Sequence, residues 1–374
     1  MLPLSYVVFM PYGFLFFMMT IFGTIYSLSA VHWLAVWGGL EINLIAFIPL
    51  MVYRGTTLET ESAIKYFIFQ AVGSTLLMFS SLLSFSTTFV WDMSLTMLPS
   101  MTEKSSLILL LGLTLKLGAF PVHSWFPSVA AGLSWMANLW LFTWQKVAPL
   151  FLLFSLTYLW TNMLFFLMMM IASGSSIIGG IGGMNQTQLR ALLAYSSIAH
   201  LGWMTFCCYL SETSMKIYFV IYIFITVCIF TILWVSEMNL IPQALNSFYQ
   251  SKTIFRGAII LLLLSLGGIP PLLGFVPKWM VLNLGASTNL TIILLLLIFG
   301  SLCSLFYYLN LMFSSFFSIA PIILKEMYTQ KFNNFSISFV VILSITVNLL
   351  GGIFLLKNSF LESFLYAMGL FNKP

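Results

Sequence analysis

Glu41, Lys116, Lys146 and Lys278 each fall within or beside a long apolar run, where a charge is costly to keep. At the centre of a membrane span each costs about 2.5–3.5 kcal/mol, so these four together with Lys65 amount to on the order of 12–17 kcal/mol if they face lipid unpaired. They must therefore face a polar interior. Buried lysine suits proton transfer, because desolvation disfavours the ammonium and a nearby carboxylate favours it again. A Glu–Lys pair whose separation changes can load and release a proton. Glu41, in GLEIN (Gly39–Asn43), is the acid placed to do this. The expected relay runs from Glu41 and Lys116 to Lys146 and onward to Lys278. The bland alternatives are a structural ion pair for Glu41 and snorkelling of the ammonium to the membrane surface for the lysines. Snorkelling is weakest for Lys116, Lys146 and Lys278, which lie deep in a run or beside a break. For Lys65, near the start of its run and one helical turn after Glu61, both readings stand. They also stand for His123 and for His200 (in AYSSIAHLGWM), as relay member or as packing group.

Other chemistries are disfavoured. Cys207, Cys208, Cys228 and Cys303 lie in apolar runs with no C-x-x-C spacing, which argues against iron–sulfur ligation and a disulfide framework. His32, His123 and His200 lack the paired spacing of a bis-His haem. No cofactor is expected in this chain.

The elements that must hold these residues are membrane helices. Of 374 residues 61% are hydrophobic and 6% charged, with mean hydropathy +1.05, against roughly 25% charged in a soluble domain. The apolar runs approach the ~20 residues that cross a hydrocarbon core, and the alternating pattern of a β-barrel is absent. About eleven spans are expected: Val8–Ser29, His32–Tyr53, Ile64–Phe85, Ser106–Phe120, Leu133–Leu159, Met163–Ile181, Leu189–Tyr209, Ile217–Val235, Phe255–Gly267, Leu290–Phe313 and Phe335–Leu356. The first run lacks the marks of a signal or transit peptide and is expected to be the first span of a chain made where it is inserted. Loops on the side of the N-terminus hold Arg54, Arg190, Lys252, Arg256, Lys325 and Lys331. Those opposite hold Lys104, Lys216, Lys357 and Lys373, a thin margin for an inside N-terminus. No stretch is long or polar enough for a soluble domain, so one membrane domain is expected.

Two segments are broken alike. In LKLGAFPVHSW (Leu115–Trp125) Gly118 and Pro121 interrupt a helix; in GGIPPLLGFVPKW (Gly267–Trp279) Gly267, Gly268, Pro270 and Pro271 do so. Proline removes a backbone donor, and freed carbonyls survive in a membrane only where protein or water satisfies them. Such a pair in corresponding positions points to an inverted repeat.

GLEINLIAFIPLM, ESAIKYFIFQA, LKLGAFPVHSWFP, WQKVAPL, NQTQLRALLAYSSIAHLGWM and LLSLGGIPPLLGFVPKW, in this order from Trp33 to Trp279, resemble the signature blocks of the subunit 2 family of mitochondrial NADH dehydrogenase, antiporter-like membrane subunits of respiratory complex I. Beyond Trp279 the resemblance is mainly one of hydropathy. It implies an all-α membrane fold of two inverted five-helix repeats, each with a broken helix, over residues 8–159 and 163–313, with a C-terminal helix and tail over 314–374. It also implies that Glu41, Lys116, Lys146 and Lys278 stand at the family's ionisable positions, Lys65 at a less central one. The expected function is proton translocation coupled to quinone reduction elsewhere in the complex, in the mitochondrial inner membrane. The expected partners are lipid and the other complex I subunits, which carry the FMN and iron–sulfur clusters; no nucleic acid or soluble substrate is expected to bind. The rivals are a free-standing cation/proton antiporter of the same fold and a non-conducting scaffold.

Overall fold

The computed structural model describes residues 12–89, 91, 103–156, 162–236, 253–288, 290–317 and 342–351, and its elements are helices. In chain order they are α1 (Gly13–Ser29), α2 (Trp33–Met51), α3 (Thr57–Thr88), α4 (Glu103–Leu117), α5 (Trp125–Gly132), α6 (Trp135–Phe142), a 3-10 turn (Trp144–Lys146), α7 (Val147–Ser155), α8 (Asn162–Gly183), α9 (Leu189–Leu210), α10 (Glu212–Ser236), α11 (Thr253–Gly267), α12 (Phe275–Ala286), α13 (Thr291–Phe317) and α14 (Ile342–Gly351). Six of them, α2, α3, α8, α9, α10 and α13, are long and apolar enough to cross a membrane. The loop lysines Lys252, Lys325, Lys331, Lys357 and Lys373, and the ends of the first and last expected spans, lie outside the described residues.

Helix α1 is inside out by the standard of a soluble protein. It exposes Phe14, Phe22 and Ile25 while burying Thr20, Gly23, Thr24 and Ser27. The buried hydroxyls donate within their own helix, Thr20 to the Phe17 carbonyl at 2.7 Å and Thr24 to that of Ile21 at 2.8 Å. Large apolar side chains facing outward around such a face identify the outer solvent as lipid.

The chain divides into two compact units, Met1–Ser175 and Ser176–Pro374, the boundary falling inside α8. In the first unit small residues let helices approach closely. A Cβ on Gly23 would stand 2.8 Å from the Gly39 carbonyl oxygen, so α1 and α2 touch backbone to backbone, and Gly112 of α4 faces the Gly73 carbonyl of α3. Helix α3 begins at Thr57, well before the expected Ile64, because Thr56 caps it by accepting from the Glu59 amide at 3.3 Å. The Glu59 carboxylate folds back to accept from the Arg54 amide at 3.1 Å, a variant of the capping box that leaves this acid 3% exposed. In the second unit α9 is the central helix, with 94% of its span buried.

Both expected interruptions are present, with the same local geometry. After α4 Gly118 turns left-handed (φ 69°); its amide donates to the Leu115 carbonyl and the Ala119 amide to that of Thr114, at 3.2 and 3.1 Å. After α11 Gly268 does the same (φ 81°), its amide donating to Ser265 and that of Ile269 to Leu264, at 3.0 and 3.4 Å. This is the Schellman helix ending, in which the glycine takes a backbone conformation unfavourable to other residues. The helices resume as α5 and α12. A third interruption was not expected: the run Leu133–Leu159 is cut by the 3-10 turn Trp144–Lys146. Pro149 explains it, since proline has no N–H to give the Gln145 carbonyl one turn back and its ring crowds that oxygen.

Candidate functional site

In the first unit Lys116 is the next-to-last residue of α4, directly before the break, and is 6% exposed. Its stem lies over Gly73 of α3, where a Cβ would meet Lys116 Cγ at 2.9 Å. Its own carbonyl accepts from Gln70 Nε2 at 3.1 Å, and the preceding Leu115 carbonyl accepts from Trp125 Nε1 at 3.2 Å. Neutral donors thus serve the carbonyls at this break. Glu41 of α2 is half-buried and interacts electrostatically with Lys116, with no direct ion pair between the two.

Lys146 ends the 3-10 turn and is 2% exposed, among the most enclosed large side chains of the protein. Its Nζ lies over the rings of Phe126 and Phe142, 5.2 and 5.6 Å from their centroids. These are cation–π distances. Phe126 also packs against Gly118, where a Cβ would meet Phe126 Cβ at 3.0 Å. The break beside Lys116 and the aromatic seat of Lys146 therefore share Phe126, while its neighbour Trp125 gives the Leu115 carbonyl a second donor.

In the second unit Lys278 is 6% exposed and comes from α12, after the break rather than before it. It turns back over Gly268, and its Nζ donates to the Gly267 carbonyl at 2.8 Å and to that of Leu266 at 3.3 Å. Here the lysine itself bonds the carbonyls at the break, the role that Gln70 plays for the Lys116 carbonyl in the first unit. His200 of α9 is buried, with Nδ1 3.0 Å from the Tyr218 hydroxyl.

Two candidates stand apart from these buried groups. Lys65 is partly exposed on α3 and paired with Glu61 one turn earlier at 2.6 Å. His123 sits in the loop of the first break, its Nδ1 3.2 Å from the Pro121 carbonyl oxygen. Reasoning from the sequence missed Asn43, Tyr66, Gln70 and Gln145, all buried beside the candidate charges. Amides inside apolar runs, two residues after Glu41 and one before Lys146, were the available signal.

The family described as "NADH:quinone oxidoreductase/Mrp antiporter, TM" matches residues 30–307, which contain every one of these groups. NADH-ubiquinone oxidoreductase chain 2 of Lumbricus terrestris is 42% identical over 297 residues, covering 79% of this chain and 84% of that protein. Its counterpart in Osphranter robustus is 38% identical over 312 residues, covering 83% and 87%. The chain belongs to the NADH-ubiquinone oxidoreductase chain 2 family. The fold is that of a chain in the structure of respiratory complex I from Thermus thermophilus with bound aureothin, at TM-score 0.78 and 24% identity over 91% of this chain and 78% of that one. In this member of the chain 2 family α14 lies beyond the matched residues and reaches the second break, where Asn348 Oδ1 accepts from the Leu273 amide at 3.0 Å. Among the described residues, no group of three His, Cys, Asp or Glu is placed to hold a metal ion.

Proposed function

We propose that this chain is a proton-translocating membrane subunit of NADH-ubiquinone oxidoreductase in the mitochondrial inner membrane, and that Glu41, Lys116, Lys146 and Lys278 are its proton-exchanging groups. The observation that carries this reading is the burial of three lysine heads, each beside an interruption of its helix. Desolvation alone would expel such charges, and interrupted backbone is tolerated in a membrane only where polar groups gather. The two breaks and their shared geometry support two inverted five-helix repeats within about eleven spans. Flavin and iron–sulfur clusters belong to partner subunits, where quinone is reduced, and the energy released there drives the relay. Each charge moved against the membrane potential requires roughly 2.3 kcal/mol per 100 mV.

In the first unit Glu41 holds the proton on Lys116 in one state, and weakening that interaction releases it toward Lys146. In the second unit Lys278 exchanges a proton at the break. His200 either joins this traffic or packs α9 against α10, and its bond to Tyr218 favours packing.

The test is NADH-driven proton pumping, with quinone reduction, by the reconstituted complex carrying Lys116→Met or Lys116→Arg. Arginine keeps the charge but does not release a proton near neutral pH, so both variants are expected to pump poorly at normal complex content. Pumping by Lys116→Arg at the wild-type rate refutes proton exchange at this residue and leaves it a packing cation. Sodium or potassium transport by the isolated chain in liposomes would instead favour the free-standing antiporter.

A further inference from the structure

Asn43 Nδ2 donates to Gln145 Oε1 at 2.8 Å, and Gln145 Nε2 donates back to Asn43 Oδ1 at 3.0 Å. The Tyr66 hydroxyl donates to the same Gln145 oxygen at 3.3 Å. All three side chains are buried, at 4%, 9% and 2% exposure, and they come from three separate elements: α2, the 3-10 turn and α3. Two amide heads that each give one N–H to the other's oxygen inside a membrane bundle form a reciprocal, uncharged pair.

Their position gives the pair a purpose. Asn43 follows Glu41 by two residues on α2, and Gln145 immediately precedes Lys146. The turn that carries Lys146 is short of helical hydrogen bonds because of Pro149. Its closing bond, from the Lys146 amide to the Thr143 carbonyl, is long at 3.4 Å. A 3-10 segment in mid-span is a recurrent hinge. What fixes this one is the side chain of Gln145, held by α2 on one side and α3 on the other. Tyr66 extends the fastening to the first break, since its ring meets Trp125 edge-on at 6.0 Å, and Trp125 donates to the Leu115 carbonyl.

From this we infer that Asn43, Gln145 and Tyr66 form a neutral clamp that sets the position of Lys146 relative to Glu41, and so sets the rate of proton transfer through the first unit. They are positioning residues and exchange no proton themselves. The inference rests on the reading of Lys146 as a proton site.

The test compares Asn43→Leu, Gln145→Leu, Tyr66→Phe, the exchange Asn43→Gln/Gln145→Asn, and Lys146→Met, each in the whole complex reconstituted into vesicles. Pumping is normalised to complex content. Each leucine variant should slow pumping about tenfold, or about 1.4 kcal/mol on the barrier, with a smaller loss for Tyr66→Phe. The exchange, which keeps both amides and their combined length, should restore at least half of the rate. If the leucine variants do not assemble, the exchange and Tyr66→Phe decide. An exchange that assembles and pumps supports the clamp; one that fails as the single variants do overturns it. Normal pumping by the leucine variants while Lys146→Met is inactive also overturns the clamp, and leaves the lysine relay intact. Normal pumping by Lys146→Met removes the proton role of Lys146 and the clamp with it.

Discussion

Replacing Gly268 with alanine should damage the second break in two separable ways. The left-handed backbone at φ 81° costs an L-residue about 1–2 kcal/mol. The new Cβ would also stand 2.9 Å from both Cδ and Nζ of Lys278, and overpacking of this kind costs about 1–3 kcal/mol. The sum is about 2–5 kcal/mol, and the second part falls on the lysine's hold on Gly267 and Leu266. Two controls isolate it. Gly55 has a similar backbone (φ 66°) with nothing within 4 Å of a Cβ, so Gly55→Ala should show the backbone cost of about 1–2 kcal/mol alone. Gly38 lies inside α2 with open space and an ordinary backbone, so alanine there should be neutral or stabilising by about 0.5–1 kcal/mol. The assay is thermal dissociation of the detergent-purified complex beside proton pumping in vesicles. Stability should fall in the order Gly38→Ala, Gly55→Ala, Gly268→Ala, with pumping lost only in the last. If Gly268→Ala matches Gly55→Ala in both measurements, the tight seat of Lys278 over this glycine is wrong.

Trp125→Phe keeps an aromatic ring but removes the donor to Leu115 and shrinks a buried side chain; the lost bond should cost about 0.5–1.5 kcal/mol of stability in the same thermal assay, the smaller ring adding to it, with slower pumping. Tyr218→Phe takes the hydroxyl from His200; it should cost a similar about 0.5–1.5 kcal/mol and leave pumping unchanged, as fits a packing histidine, which measurement of both quantities will decide. Lys65→Ala opens an exposed pair of the kind that contributes little, and neither complex content nor pumping should change.

The two breaks were legible because glycine and proline act locally: Gly118 and Pro121, Gly268 and Pro270 announce themselves without reference to the rest of the chain. The candidate lysines were legible for a similar reason, since a charge in an apolar run needs no partner to be conspicuous. What the residues concealed was pairing across distance. Nothing in WQKVAP says that its glutamine meets an asparagine 102 residues earlier, because an amide is cheap enough to be unremarked in an apolar run. The side from which Lys278 serves its break was hidden too. It follows the prolines in sequence but reaches back over Gly268, a direction set by where α12 restarts. The early start of α3 and the burial of Glu59 could have been read from Thr56-x-x-Glu59, a short-range signal passed over because the residues looked like loop.

The manner in which Lys278 closes its break bears on how a charge can change there without loosening the backbone. An ammonium has three N–H bonds, and this one gives two of them to the carbonyls of Leu266 and Gly267. A neutral amine still has two. The head can therefore surrender its third proton and keep both oxygens satisfied, so that proton exchange there would change the electrical state of the site while its mechanical state stays the same. Methionine in its place would empty both carbonyls at once, and a guanidinium would keep them filled yet never alternate. Among the common side chains only lysine can be at once a permanent rivet and a reversible charge.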